Sequence, residues 1–321
     1  MKKVIQFILV MFSACCFLQC QTNSKSSAAK SDTNTLQEAL KTRKLKVTTT
    51  TTFLTDLLLQ IGGKDIELKG LMGSGVDPHL YKASAGDIQK IKGADVLFYN
   101  GLHLEGKLEA IFEKLENQHH NIFAVGSVIP KSKLLESENF ASNYDPHIWF
   151  NIDYWSSITQ FVADKLSKLD PNNQVKYQKR ATTYQQKLQT LKSEISTSIN
   201  SLPQEKRVLV TAHDAFNYFG AAYNFEVVGL QGLSTVTEAG VKDVQKLSKL
   251  IIDRKVKAIF AETSVSKKTI IALKEAVKSK GWEVTLGEAL FSDALGVSGT
   301  ATGDYIGMYK HNVSAIITAL K

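Results

Sequence analysis

Four side chains stand where the chain could grip a cation. His79 lies in "VDPHLY" and His147 in "YDPHIW", so one Asp-Pro-His tripeptide occurs twice in a chain with five prolines. Proline fixes its own φ and pushes the preceding residue toward an extended conformation, which makes each tripeptide a stiff, non-helical presenter of an imidazole. Asp-Pro is also ordinary turn chemistry, so a single copy would mean little, whereas two suggest two parts of one site. His213, in "VLVTAHDAFNYFG", follows the first strand of the second half as the chain turns into a helix, and Asp293, in "GEALFSDALG", again follows a strand. Strand ends and the loops after them are where open α/β sheets place ligands. Three neutral imidazoles and one carboxylate suit a borderline transition metal, zinc above all, rather than calcium or magnesium, which want oxygens. Spacing by itself leaves open that each is a satisfied polar residue. That plainer reading is the one taken for His103, His119, His120 and His311, with His119 and His120 in a solvated loop beside Asn117 and Gln118.

The elements that must position these groups alternate short β-rich runs with longer helical ones, the pattern of an α/β layer fold. "KVTTTT", "IELKGL", "DVLFYN" and "NIFAVG" read as strands of a first half, with "SAGDIQKIKGA" and "LEGKLEAIFEKLEN" helical between them. "RVLVTAH", "FEVVGL", "VKAIFAE" and "WEVTLGE" form a second set, separated by "VKDVQKLSKLIIDR" and "KKTIIALKEAVKSK". Two similar α/β lobes with mainly parallel sheets are expected, over residues 45–170 and 204–321. Between them, residues 171–203 contain no glycine and no internal proline, so Pro171 and Pro203 bracket one rigid helix of about eight turns. Its apolar residues do not hold a heptad long enough for a coiled coil.

The 321 residues, 43% of them hydrophobic, can build a substantial core. The net charge of +8 comes from 39 Lys and Arg scattered among 31 Asp and Glu, without a basic run, which argues against nucleic acid as a partner. Residues 1–20, "MKKVIQFILVMFSACCFLQC", have the lysines, apolar stretch and cysteines of an export signal, and the apolar run is short for a membrane span. All three cysteines lie there, so the body of the chain offers neither a disulfide nor a thiolate ligand. Residues 21–44 open with "QTNSKSSAAKSDTNT", a polar, low-complexity tether expected to be unstructured.

The order of signal, cysteine and tether resembles a bacterial lipoprotein. Cys20 is the preferred lipid-modified residue, although Gln19 precedes it where that family has a small residue; Cys15, after Ala14, is the alternative. The motifs "DPHLYKASAGDIQKIKGADVLFYNGLHLE", "DPHIWFNI", "VTAHDAFNYFGAAYNFEVVGLQGLSTVTEAG", "FAETSVS" and "GEALFSDALG…GDYIGMYKHNV" together resemble the metal-binding proteins of ABC importers, cluster A-I of the TroA/ZnuA type, solute-binding protein family 9. The resemblance covers nearly all of the chain after the tether. It implies two α/β lobes joined by one long helix, with metal ligands falling on His79, His147, His213 and Asp293.

From that resemblance follow an exported, lipid-anchored monomer in the periplasm or on the outer face of the membrane, partnered by a permease and its ATPase. The chain has no GxxxxGK[ST] loop of its own. Family members selective for manganese tend to have glutamate where this chain has His213, so zinc is the expected cargo; the short "EKLENQHHNIFAVG" and the "FSDALG" ending keep manganese open. Asp77, Asp145, Asn100, Glu105 and Glu262 read as turn or loop residues, and Tyr81 and Trp149 as shields of the site. A surface adhesin of the same fold is the alternative function. A zinc hydrolase is a weaker one, because four protein ligands close the shell and no HExxH occurs.

Overall fold

A computed structural model describes residues 35–118, 120–137 and 144–321. The expected export signal, its cysteines and most of the tether lie outside the described residues, as does His119. Residues 35–39, at the end of the expected tether, form a short helical turn.

The first half is built on a parallel sheet of order β2-β1-β3-β4, with β1 Leu45–Thr49, β2 Ile66–Gly70, β3 Val96–Tyr99 and β4 Asn121–Ala124. Its strands are apolar where helices cover them, as parallel sheets require. Helix α1, Thr52–Gly62, starts on the hydroxyl of Thr51, which accepts from the Leu54 amide. Helix α2, Ala85–Lys92, starts on a capping box in which Ser84 and Asp87 satisfy each other's backbone donors. Helix α3, Glu109–Asn117, returns the chain to β4.

Two further helices lead out of this half. Helix α4, Ile152–Leu169, is capped by Asn151, and α5 spans Gln174–Ile199. The long helix therefore begins one turn later than its sequence bracket: Pro171–Asn173 form a 3-10 turn, and Asn200 is the C-cap. Tyr177, Ala181, Tyr184, Leu188, Leu191, Ile195 and Ile199 recur every three or four residues along α5 and are buried, so its apolar stripe packs against α1 and α4.

In the second half, β5 Val208–His213 pairs in parallel with β6 Glu226–Gln231, and β7 Ala258–Ile259 pairs in parallel with β8 Thr285–Leu286. Parallel bridges from Thr211 to Phe260 and from Glu262 to Leu290 extend these ladders. β7 and β8 are shorter than "VKAIFAE" and "WEVTLGE" suggest, although the two segments go on hydrogen-bonding beyond them, from the Leu290 amide to the Ala261 carbonyl and from the Thr263 amide to the Leu290 carbonyl. Helices α6 Asn217–Tyr223, α7 Val241–Asp253 and α8 Lys267–Ser279 flank the strands, and α9 Tyr305–Leu320 closes the fold. Helices α1, α4 and α9 are not among the helical runs singled out from the sequence. Phe53 of α1 stacks on Trp149 at 4.8 Å within the first half, and Trp155 of α4 stacks on Tyr305 of α9 at 5.1 Å, which ties the two halves together.

Candidate metal centre

His79 and His147 each follow an Asp-Pro pair in loops of the first half, His213 ends β5, and Asp293 sits in the loop after β8. One ligand atom from each of the four lies within 4.8 Å of the others, and all four residues are buried. His79 Nε2 is 3.4 Å from His147 Nε2. Asp293 reaches both remaining neighbours, with Oδ1 3.5 Å from His147 Nε2 and Oδ2 3.3 Å from His213 Nε2. The imidazole rings pack edge to face around this point, with centroids 5.3 to 5.9 Å apart.

Each histidine is held from behind by a carboxylate. Asp145 Oδ1 accepts from the His147 amide at 2.9 Å and lies 2.7 Å from its Nδ1, which turns Nε2 toward the centre. Glu262 does the same for His213, accepting from its amide at 2.8 Å and facing Nδ1 at 2.5 Å. Asp77 Oδ1 accepts from the His79 amide at 2.8 Å. Carboxylates that face the ring nitrogen, as Asp145 and Glu262 do, fix the tautomer and the ring orientation of a ligating histidine, whereas Asp77 holds the backbone that presents His79. Gly229, beside Thr211 in the ladder, lets β5 approach: a Cβ there would stand 2.4 Å from the Asp214 amide nitrogen.

The electrostatics follow from burial and from these carboxylates. Burial pushes the His79 imidazole down to about 3, so it is neutral at physiological pH with its lone pair available. Burial also works against a charged His213, but Asp293 and Glu262 overcome it and hold that imidazole well above its usual value. Burial would likewise raise Asp293, yet His213 and the other two imidazoles keep its carboxyl below the usual carboxylate range. Asp293 Oδ1 is buried and accepts no hydrogen bond, an expensive state for a carboxylate oxygen unless a cation can be its partner.

The structure thus brings together all four residues singled out from the sequence. His103 faces Glu109 at 2.5 Å, and His311 packs on the Phe291 ring; neither belongs to the cluster. Trp149 lies edge-on to His147 at 5.3 Å and donates to the Ser292 carbonyl, walling one side. Tyr81, expected as a second shield, instead donates its hydroxyl to Asp87 at the start of α2. Sequence reasoning left Asp77, Asp145 and Glu262 as turn or loop residues, and it missed Asn217, Tyr218 and Thr235 altogether. Asn217 Nδ2 donates to Asp145 Oδ2 at 3.1 Å and the Tyr218 hydroxyl to the Asp145 carbonyl at 3.1 Å. The Asp before each Pro-His, and the Glu ending "FAE", were the available signals for the bracing carboxylates.

Two parallel α/β halves, a long helix between them and a buried three-histidine, one-carboxylate cluster define a class: the metal-binding solute-binding proteins of ABC importers. Residues 47–319 match the family model of ZnuA, described as zinc-uptake complex component A, periplasmic, and the chain belongs to that family. It is 43% identical to the manganese-binding lipoprotein MntA of Bacillus subtilis over 312 residues, 97% of each chain. It is 46% identical to the zinc-binding protein TroA of Treponema pallidum over 274 residues, 85% of this chain and 88% of that one. The solved structure of the periplasmic TroA superposes with a TM-score of 0.84, covering 87% of this chain and 99% of that chain.

Proposed function

We propose that this protein captures zinc outside the cytoplasmic membrane and delivers it to a permease driven by an ATPase, with manganese as the second cargo the site can take. His79, His147, His213 and Asp293 are the ligands in this reading. The observation that carries it is the convergence of one donor atom from each of the four residues to within 4.8 Å, with His79 and His147 Nε2 3.4 Å apart and the two Asp293 oxygens 3.5 Å from His147 Nε2 and 3.3 Å from His213 Nε2. Four donors about 2.0 to 2.1 Å from one zinc ion in a tetrahedron stand about 3.3 Å from each other. Three nitrogen donors favour zinc over manganese, and relatives named for each metal are similar to this chain over most of its length.

The role is binding and transfer, without turnover: four protein donors leave no coordination position for an activated water. In this reading residues 45–170 and 204–321 act as two lobes, residues 171–203 as the strut between them, and a lipid on Cys20 holds a monomer at the membrane. Among the described residues no helix is long and apolar enough to cross a membrane.

The test is competitive loading. Protein lacking the export segment, stripped with chelator and offered Zn²⁺ and Mn²⁺ together, should hold one zinc per chain by mass spectrometry. His213→Glu should shift the bound ion toward manganese, since it replaces a nitrogen donor by a hard oxygen. No stoichiometric metal in either protein would overturn the reading.

A further inference from the structure

The bracing carboxylate of His79 is itself held from the other half of the molecule. Asp77 spans the gap: Oδ1 accepts from the His79 amide at 2.8 Å, while Oδ2 accepts from the Thr235 hydroxyl at 2.5 Å. Thr235 lies between the end of β6 and the start of α7, in a stretch where Thr237 and Glu238 are exposed and Val236 is 53% exposed. Thr235 alone of these four turns inward, 7% exposed, onto the turn that presents His79. Asp293's loop is fastened differently, through both backbone groups of Leu295: its amide donates to Thr52 Oγ1 at 2.8 Å and its carbonyl accepts from Ser74 Oγ at 2.9 Å.

The ligands therefore differ in how their supports could be released. Freeing Asp293 means breaking both Leu295 bonds and the bond from Trp149 to the Ser292 carbonyl, and freeing His147 means undoing the Asn217 and Tyr218 contacts of a helix. Behind His79, Asp77 is tied to the other half by a side-chain hydrogen bond, from Thr235 in a loop whose next three residues are exposed. We propose that Thr235 is a latch, a positioning residue whose bond to Asp77 keeps His79 aimed at the metal and sets how fast the ion leaves. This inference rests on the metal-capture reading above. A partner that draws the 232–240 loop away would loosen His79 first and open the shell from that side.

Thr235→Val keeps the shape and removes the donor, while Thr235→Ser keeps the donor. Zinc loss to excess chelator, followed by stopped flow, should be about ten-fold faster in Thr235→Val, the worth of one hydrogen bond to a charged acceptor. The association rate should be unchanged, the unfolding midpoint of the metal-free protein should fall only by the worth of that one bond, and Thr235→Ser should restore both the midpoint and the slow release. In the metal-free protein, amide exchange at residues 76–80 should rise in Thr235→Val and not in Thr235→Ser. Wild-type release and exchange in Thr235→Val would overturn the latch while leaving the importer reading intact. A wild-type protein that takes up no zinc would remove the importer reading, and the release role with it.

Discussion

At the scale of single residues, the site depends on carboxylates that do not face the centre. Glu262 is buried and its two oxygens serve the backbone and the ring of His213, which leaves that ring's Nε2 as the donor. Glu262→Gln keeps the volume but removes the charge and turns one end of the group into a donor that cannot serve the same ring nitrogen. Zinc affinity measured by chelator competition should fall by about 10- to 100-fold, the usual consequence of losing such a partner. Unchanged affinity would mean that His213 is oriented by β5 alone. Asp145 plays the same part for His147, so each Nδ1–carboxylate pair belongs to one half of the molecule.

At the scale of elements, helix starts carry the junctions. Asp56, in α1, is buried and accepts from the Tyr305 amide at the first turn of α9, where a helix dipole favours negative charge. Burial nevertheless outweighs this and the bond from Gln60, and it pushes the Asp56 carboxyl up to about 6 from 3.8. A carboxyl whose pKa is raised by folding binds its proton more tightly in the native state. Its contribution therefore grows as pH falls through about 6 toward 3.8, and is absent above that window. Asp56→Asn has no such proton to gain. In denaturant titrations of the metal-free proteins, the stability of the variant relative to wild type should drop by about 2 kcal/mol between pH 7 and pH 4. A difference independent of pH would place the Asp56 titration outside this range.

At the scale of the whole molecule, α5 decides what kind of motion is available. Its 26 residues form a rod of about 40 Å, buried along one face against α1, α4 and α9, elements drawn from both halves. Bending such a rod would break helical hydrogen bonds and expose Tyr177, Leu188 and Leu191. Capture and release are therefore expected to use loop shifts and small adjustments of the halves rather than a wide hinge closure. Small-angle scattering of metal-free and zinc-loaded protein should give the same radius of gyration within error, and a marked compaction on loading would refute the rigid strut.

Much of this was legible in the chain itself. Strand and helix periodicities placed most of the elements, the missing glycines marked α5, and the doubled Asp-Pro-His drew attention to His79 and His147 before any contact was known. Those signals are local: they depend on a residue and its near neighbours, which the backbone carries into any environment. The braces are of another kind. Glu262 stands 49 residues from His213, Asn217 stands 72 from Asp145 and Thr235 stands 158 from Asp77. The Glu ending "FAE" offered a weak local signal for Glu262, but nothing near Asn217 or Thr235 distinguishes them from ordinary loop and cap residues. What chose them was the folded chain, which buried polar atoms face to face and left each to be satisfied by whatever partner, from the same half or the other, came within reach.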